Sequence, residues 1–145
     1  MQLKRIKAEK VFLFFALIWG MSLVFITPPF QAPDEQAHFF RAYQISEFTP
    51  VPEVEGNLLG GEVPKSLVDL LLLYNHEHLD STGDFTWEHI EAGLKIKSNE
   101  KEREFMIFPN TALYSPTLFI PQTSGILLGK MMNLPPLVLF YLARI

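Results

Sequence analysis

Sixteen consecutive residues, Val11-Phe-Leu-Phe-Phe-Ala-Leu-Ile-Trp-Gly-Met-Ser-Leu-Val-Phe-Ile26, carry no charge and are apolar all round rather than along one stripe. A helix hydrophobic on every side has to be buried in a large core or in lipid, and a chain of 145 residues has little protein with which to surround it. A bilayer core of about 30 Å takes about 20 helical residues. Val11 to Phe30 supplies them, with Pro28-Pro29 ending regular helix near the outer interface. A cleaved signal peptide would share the basic start and apolar middle, but Thr27-Pro28-Pro29-Phe30 offers no small-x-small cleavage site. The reading adopted is an uncleaved signal-anchor.

Charge is partitioned around this run. Residues 1–10 hold Lys4, Arg5, Lys7 and Lys10 against Glu9, whereas residues 31–113 hold six basic and fifteen acidic side chains. The basic flank places residues 1–10 in the cytoplasm as a short tail and residues 31–113 outside it. The formal net charge of −4 averages two opposed regions. No basic patch lies beyond the first ten residues, so nucleic-acid binding has no support. Cysteine is absent, which removes disulfides and thiolate metal sites.

The extracytoplasmic stretch reads as a long, largely helical loop. Pro33 suits a first helical position, and Asp34 and Glu35 follow where the helix dipole favours negative charge. The helix is expected to reach about Glu47, stopped by Thr49-Pro50-Val51-Pro52. Asp34, His38 and Arg41 share one face at helical spacing, and Phe39 and Tyr43 form a stripe suited to the membrane surface. Residues 50–63, rich in Pro and Gly, read as a loop. Lys65–Asn75 is a second helix, and Thr86 caps a third over Trp87–Lys95. Ser98–Glu104 reads as a charged turn, and Phe105–Leu113 as extended chain. His76, His78, Glu77 and Asp80 read as a polar helix end, because His-x-His on a helix points its rings to different faces. The stretch as a whole is expected to be too thin for its own core and to pack on membrane helices.

Tyr114-Ser115-Pro116 signals a helix start. Residues 114–132 are expected to form a second transmembrane helix, its Lys130 snorkelling to the cytoplasmic interface. Residues 133–145 then read as a cytoplasmic turn and the opening of a third span. The expected fold class is therefore an all-α integral membrane protein, of which these residues form the N-terminal fragment of a multi-span chain.

The strings PDEQAHFFRAYQISE (residues 33–47) and NTALYSPTLFIPQTSGILLGKMMNLPPLVLFYLARI (residues 110–145) resemble a bacterial family of polytopic predicted membrane proteins, domain-of-unknown-function family 2142. More distantly they resemble the C-type glycosyltransferase (GT-C) superfamily. In that superfamily an acidic pair opens the first outer loop, a Pro-containing motif begins the second span, and an Arg marks the cytoplasmic start of the third. The matching positions here are Asp34-Glu35, Tyr114-Ser115-Pro116 and Arg144.

The distant resemblance implies a GT-C-like fold and transfer of a sugar from a polyprenyl-phosphate donor to a cell-envelope glycan acceptor at the outer face of the membrane. Asp34 would take the acceptor proton, and Glu35 would assist by hydrogen bonding or by holding a divalent cation, Mg or Mn. His38 and Arg41 would meet the lipid phosphate, and Tyr114 would line the donor cavity. The residues themselves admit plainer roles. Asp34 and Glu35 serve equally as first-turn dipole partners, Arg41 as a head-group anchor and Tyr114 as an interfacial aromatic. A non-catalytic membrane protein of transport, assembly or envelope organisation fits the same pattern, as does an inactive truncated remnant. The fragment alone is not expected to be active.

Overall fold

The structure, a computed structural model, describes residues 7–75 and 85–145. The His76, Glu77, His78 and Asp80 group lies outside the described residues. Helix α1 (Ala8–Ile26) is 19 residues long and none of them is buried. At 1.5 Å per residue it is about 28 Å long, close to a bilayer core. It is the one helix among the described residues long and apolar enough to cross a membrane.

The described residues after the Pro28-Pro29 elbow fold into a body with its own core. Helix α2 (Glu35–Ser46) lies at its centre with eight buried residues. Two short strands follow, β1 (Glu53–Glu55) and β2 (Leu58–Pro64), then α3 (Lys65–Tyr74), α4 (Trp87–Lys95) and β3 (Arg103–Ile107). A single turn α5 (Pro109–Ala112) and a 3-10 turn (Pro116–Phe119) lead into α6 (Ile120–Met131) and α7 (Pro136–Arg144). The strands form an antiparallel sheet in the order β1-β2-β3, with Glu53 opposite Gly60 and Glu62 opposite Phe105.

The sheet corrects the all-α expectation and the reading of residues 50–63 as loop. Gly56 sits at φ 61° in the two-residue Gly56-Asn57 connection, a hairpin turn that needs a left-handed residue. Gly60 and Gly61 are not loop residues. A side chain at Gly60 would collide with the Met106 carbonyl of β3, and one at Gly61 with the Gln44 amide of α2. Two glycines therefore mark where a strand is approached closely from both sides.

The core is built from Phe39, Phe40 and Tyr43 of α2, Leu67, Leu70 and Tyr74 of α3, Phe108, Phe119, Ile126 of α6, and Leu137, Leu139 and Phe140 of α7. It corrects the expectation that residues 31–113 lack a core, and it places Phe39 and Tyr43 inside protein, not at the membrane surface. The extra apolar mass comes from the C-terminal third. Helix α6 has 12 residues, about 18 Å of rise, against about 30 Å for a span. Its Gly125 and Gly129 press against Leu142 and Leu139 of α7, so α6 and α7 form a close antiparallel hairpin turned at Asn133 (φ 53°).

Residues 114–132, expected to cross the membrane, are thus a 3-10 turn and a short helix packed on α2 and α7. Lys130 does not snorkel. Its ammonium lies 3.2 Å from Glu47, 3.6 Å from Glu100 and 4.4 Å from the centre of the Tyr43 ring.

Candidate functional site

The two adjacent acids at the start of α2 have different surroundings. Glu35 is largely covered, and its carboxylate takes a two-pronged grip from Arg144, with Nε–Oε1 at 2.6 Å and Nη2–Oε2 at 2.8 Å. The same guanidinium donates from Nη1 to the carbonyls of Val24 (3.0 Å) and Thr27 (2.7 Å), and from Nη2 to that of Pro28 (2.9 Å). Five N–H groups thus meet five acceptors, the full donor capacity of an arginine. Three of the acceptors are carbonyls at the end of α1, where a helix leaves acceptors unpaired and its dipole favours a cation. Arg144 also lies over the Phe140 ring at 4.5 Å.

This clasp ties the end of the apolar helix, the start of α2 and the end of α7 into one joint. It also brings Arg144, 109 residues away in sequence, directly beside Glu35.

Asp34 is exposed; its carbonyl accepts from the His38 N–H at 3.1 Å, but its carboxylate makes no hydrogen bond or ion pair among the described residues. Its backbone is left-handed (φ 58°, ψ 7°), a conformation that aspartate tolerates better than most residues. Phe30, three residues before the Pro33-Asp34 step, is also left-handed (φ 60°). For a bulky residue this costs about 1–3 kcal/mol and persists where the surroundings over-determine it. Here they do, because the Phe30 ring packs 4.5 Å from Phe140 and 6.1 Å from Phe39, centre to centre. The elbow that carries Asp34 is therefore held by packing on one side and by Arg144 on the other.

Of the other expected site residues, His38 and Tyr114 come together. His38 is exposed, one helical turn beyond Asp34, and its ring centre is 6.2 Å from that of Tyr114 and 5.8 Å from that of Phe119. A cleft of about 200 Å³ runs past Glu35, His38, Phe39, Gln122, Phe140 and Arg144. Arg41 does not join this group. It is 1% exposed and donates to the Gln44 side chain and, at 2.6 Å, to the Pro50 carbonyl. Gln44 in turn donates to the Gly60 carbonyl. Burial lowers the Arg41 pKa from its usual value, and its charge serves to pin α2 to the hairpin. A head-group phosphate cannot reach it, which corrects both membrane-facing readings of Arg41.

A divalent cation does not fit these residues. Both oxygens of Glu35 are committed to Arg144, Asp34 alone supplies too few ligands, and no group of three or more His, Cys, Asp or Glu among the described residues is arranged to hold a metal.

Sequence reasoning missed Gln44, Gln122 and the role of Arg144. Gln122, in the cleft, keeps a buried side-chain oxygen without a hydrogen-bond partner. The Glu35–Arg144 pair is separated by 109 residues, so no local pattern could announce it. A larger cavity lies elsewhere, at the junction of α1, α4 and α7.

Fold and site together describe an uncovered apolar helix, long enough to cross a bilayer, joined through the Arg144 clasp to a folded, predominantly helical body. The family described as Predicted membrane protein (DUF2142) matches residues 17–145, and the chain belongs to that family. No curated protein and no solved structure matches it.

Proposed function

We propose that this chain belongs to a glycosyltransferase-like membrane protein that moves a sugar from a polyprenyl-phosphate donor to a cell-envelope acceptor, with Asp34 as the general base. The basic N-terminal tail puts the elbow on the extracytoplasmic side. The observation that carries the reading is the division between the adjacent acids. Glu35 is consumed in fixing the joint, and Asp34 is left exposed eight residues beyond the end of the apolar helix, next to the clasped Glu35. A base for a lipid-linked substrate has to lie near head-group depth with its carboxylate unclaimed. The unclaimed carboxylate of Asp34 and the clasp that ties its neighbour Glu35 to the end of α1 support that role. The distant likeness to C-type glycosyltransferases adds the reaction class.

In an inverting transfer the acceptor hydroxyl gives its proton to the Asp34 carboxylate as its oxygen bonds the anomeric carbon. The bond from that carbon to the phosphate oxygen breaks, and polyprenyl phosphate leaves with the electron pair. His38 and Tyr114 flank the place where the sugar phosphate would sit. Glu35 acts as a positioning residue, not as a second catalytic acid, and no step passes through a metal.

The test is transfer of labelled sugar by membranes containing the Asp34→Asn protein. Loss of transfer with normal membrane insertion and abundance is the expected result. Full transfer by that variant would remove Asp34 from the mechanism and leave the non-catalytic reading, in which the elbow is a docking point.

A further inference from the structure

Helix α4 (Trp87–Lys95) has an apolar face that the core does not use. Trp87, Ile90 and Leu94 fall at i, i+3 and i+7 on one face, and Glu88, Glu91 and Lys95 form a charged flank beside it. Only Ile90 is packed against the core; Trp87 is 81% and Leu94 47% exposed. This face forms one wall of an apolar groove of about 780 Å³ whose other walls are Phe25 and Ile26 of α1 and Val138 and Tyr141 of α7.

We infer that this groove seats the hydrocarbon chain of a bilayer phospholipid, and that α4 lies in the head-group zone with Trp87 inserted. The occupant follows from continuity. Phe25 and Ile26 belong to the last turn of the span, so the lipid that solvates α1 runs into the groove without crossing water. An indole is suited to that depth, with its ring in the acyl region and its N–H toward the polar boundary. The charged side of α4 then faces outward. The surface role that the sequence suggests for α2 falls to α4, because α2 is buried.

The chain has two tryptophans, Trp19 and Trp87, so each can be isolated. In vesicles of phosphatidylcholine brominated part-way down the acyl chain, the Trp19→Phe protein should lose most of its Trp87 emission. The aqueous quencher iodide should have little effect. The Trp87→Phe protein, reporting from Trp19 within α1, should be quenched most by lipids brominated near the chain end. Native mass spectrometry from mild detergent should retain a phospholipid on the wild-type chain and lose it in Leu94→Glu, an exposed position whose folding can be checked by circular dichroism. If Trp19 is quenched by bromolipid while Trp87 responds only to iodide, α1 spans and the groove proposal fails. If neither is quenched, the membrane reading fails with it. A dimer in the mass spectrum with no bound lipid would assign the groove to a second copy and overturn the proposal.

Discussion

Helix α1 and helix α2 invert the usual relation between hydrophobicity and burial. The first is almost purely apolar and has no buried residue, while the second contains Glu35, His38, Arg41 and Gln44 and buries eight of its twelve residues. Helix α1 leaves its apolar surface uncovered by the rest of the chain, which suits a helix whose solvent is hydrocarbon. Its contact with the folded body is concentrated at its end. Helix α2 can sit inside protein because most of its polar groups find partners there. The two Nη atoms of Arg41 donate to Gln44 and Pro50, leaving its buried Nε without a partner among the described residues, and the Ala37 carbonyl accepts from the Thr111 hydroxyl at 3.0 Å. Composition alone identifies a membrane helix, whereas a central helix of a small folded body is identified by the partners it finds.

The sharpest way to break this comparison is to remove one aromatic ring from each helix. Phe40→Ala, at a fully buried site, should cost about 3–5 kcal/mol of stability. Phe14→Ala in α1 should change the unfolding of the body by less than about 0.5 kcal/mol. Thermal unfolding in detergent distinguishes them, and equal losses would mean that α1 is packed against protein after all. Arg144→Ala tests the joint between the helices. It strands a mostly covered carboxylate and three carbonyls, and should cost about 3 kcal/mol; adding Glu35→Gln should recover part of the loss. An unchanged melting temperature would show that the clasp holds nothing. A smaller effect is expected for Arg41→Met, which frees the Pro50 carbonyl and the Gln44 amide and should cost about 1–3 kcal/mol. If that variant instead altered lipid binding without a stability loss, Arg41 would be at the surface and α2 misplaced.

The parts of this architecture that depend on neighbouring residues were legible in the sequence. The existence of α1 and the range of α4 behind Thr86 follow from local signals, and Thr86 N–H does bond the His89 ring at the helix start. Helix α1 spans Ala8–Ile26, not Val11–Phe30, and α2 begins at Glu35, two residues later than Pro33 suggests, because Asp34 is left-handed and precedes the helix. The hairpin was hidden because Gly60, Gly61 and Pro64 resemble loop residues until β3 and α2 are known to press against them. The C-terminal third was misread for a related reason. A half-apolar stretch broken by Pro121 and Gly125 suits a membrane span or a short core helix equally well, and only the opposing face decides. In the candidate site, the acidic pair, His38 and Tyr114 could be singled out from the sequence, but the different roles of Asp34 and Glu35 could not. That difference depends on an arginine 109 residues away.

The clasp also imposes an order on biogenesis. The carbonyl of Val24 and the guanidinium that caps it are 120 residues apart, and ribosomes add roughly 5–20 residues per second. For on the order of ten seconds the nascent helix has its C-terminal carbonyls uncapped and Glu35 without its counter-charge. Closure of the elbow is therefore a late event, and a newly made molecule completes it only when nearly all of the residues described above have emerged.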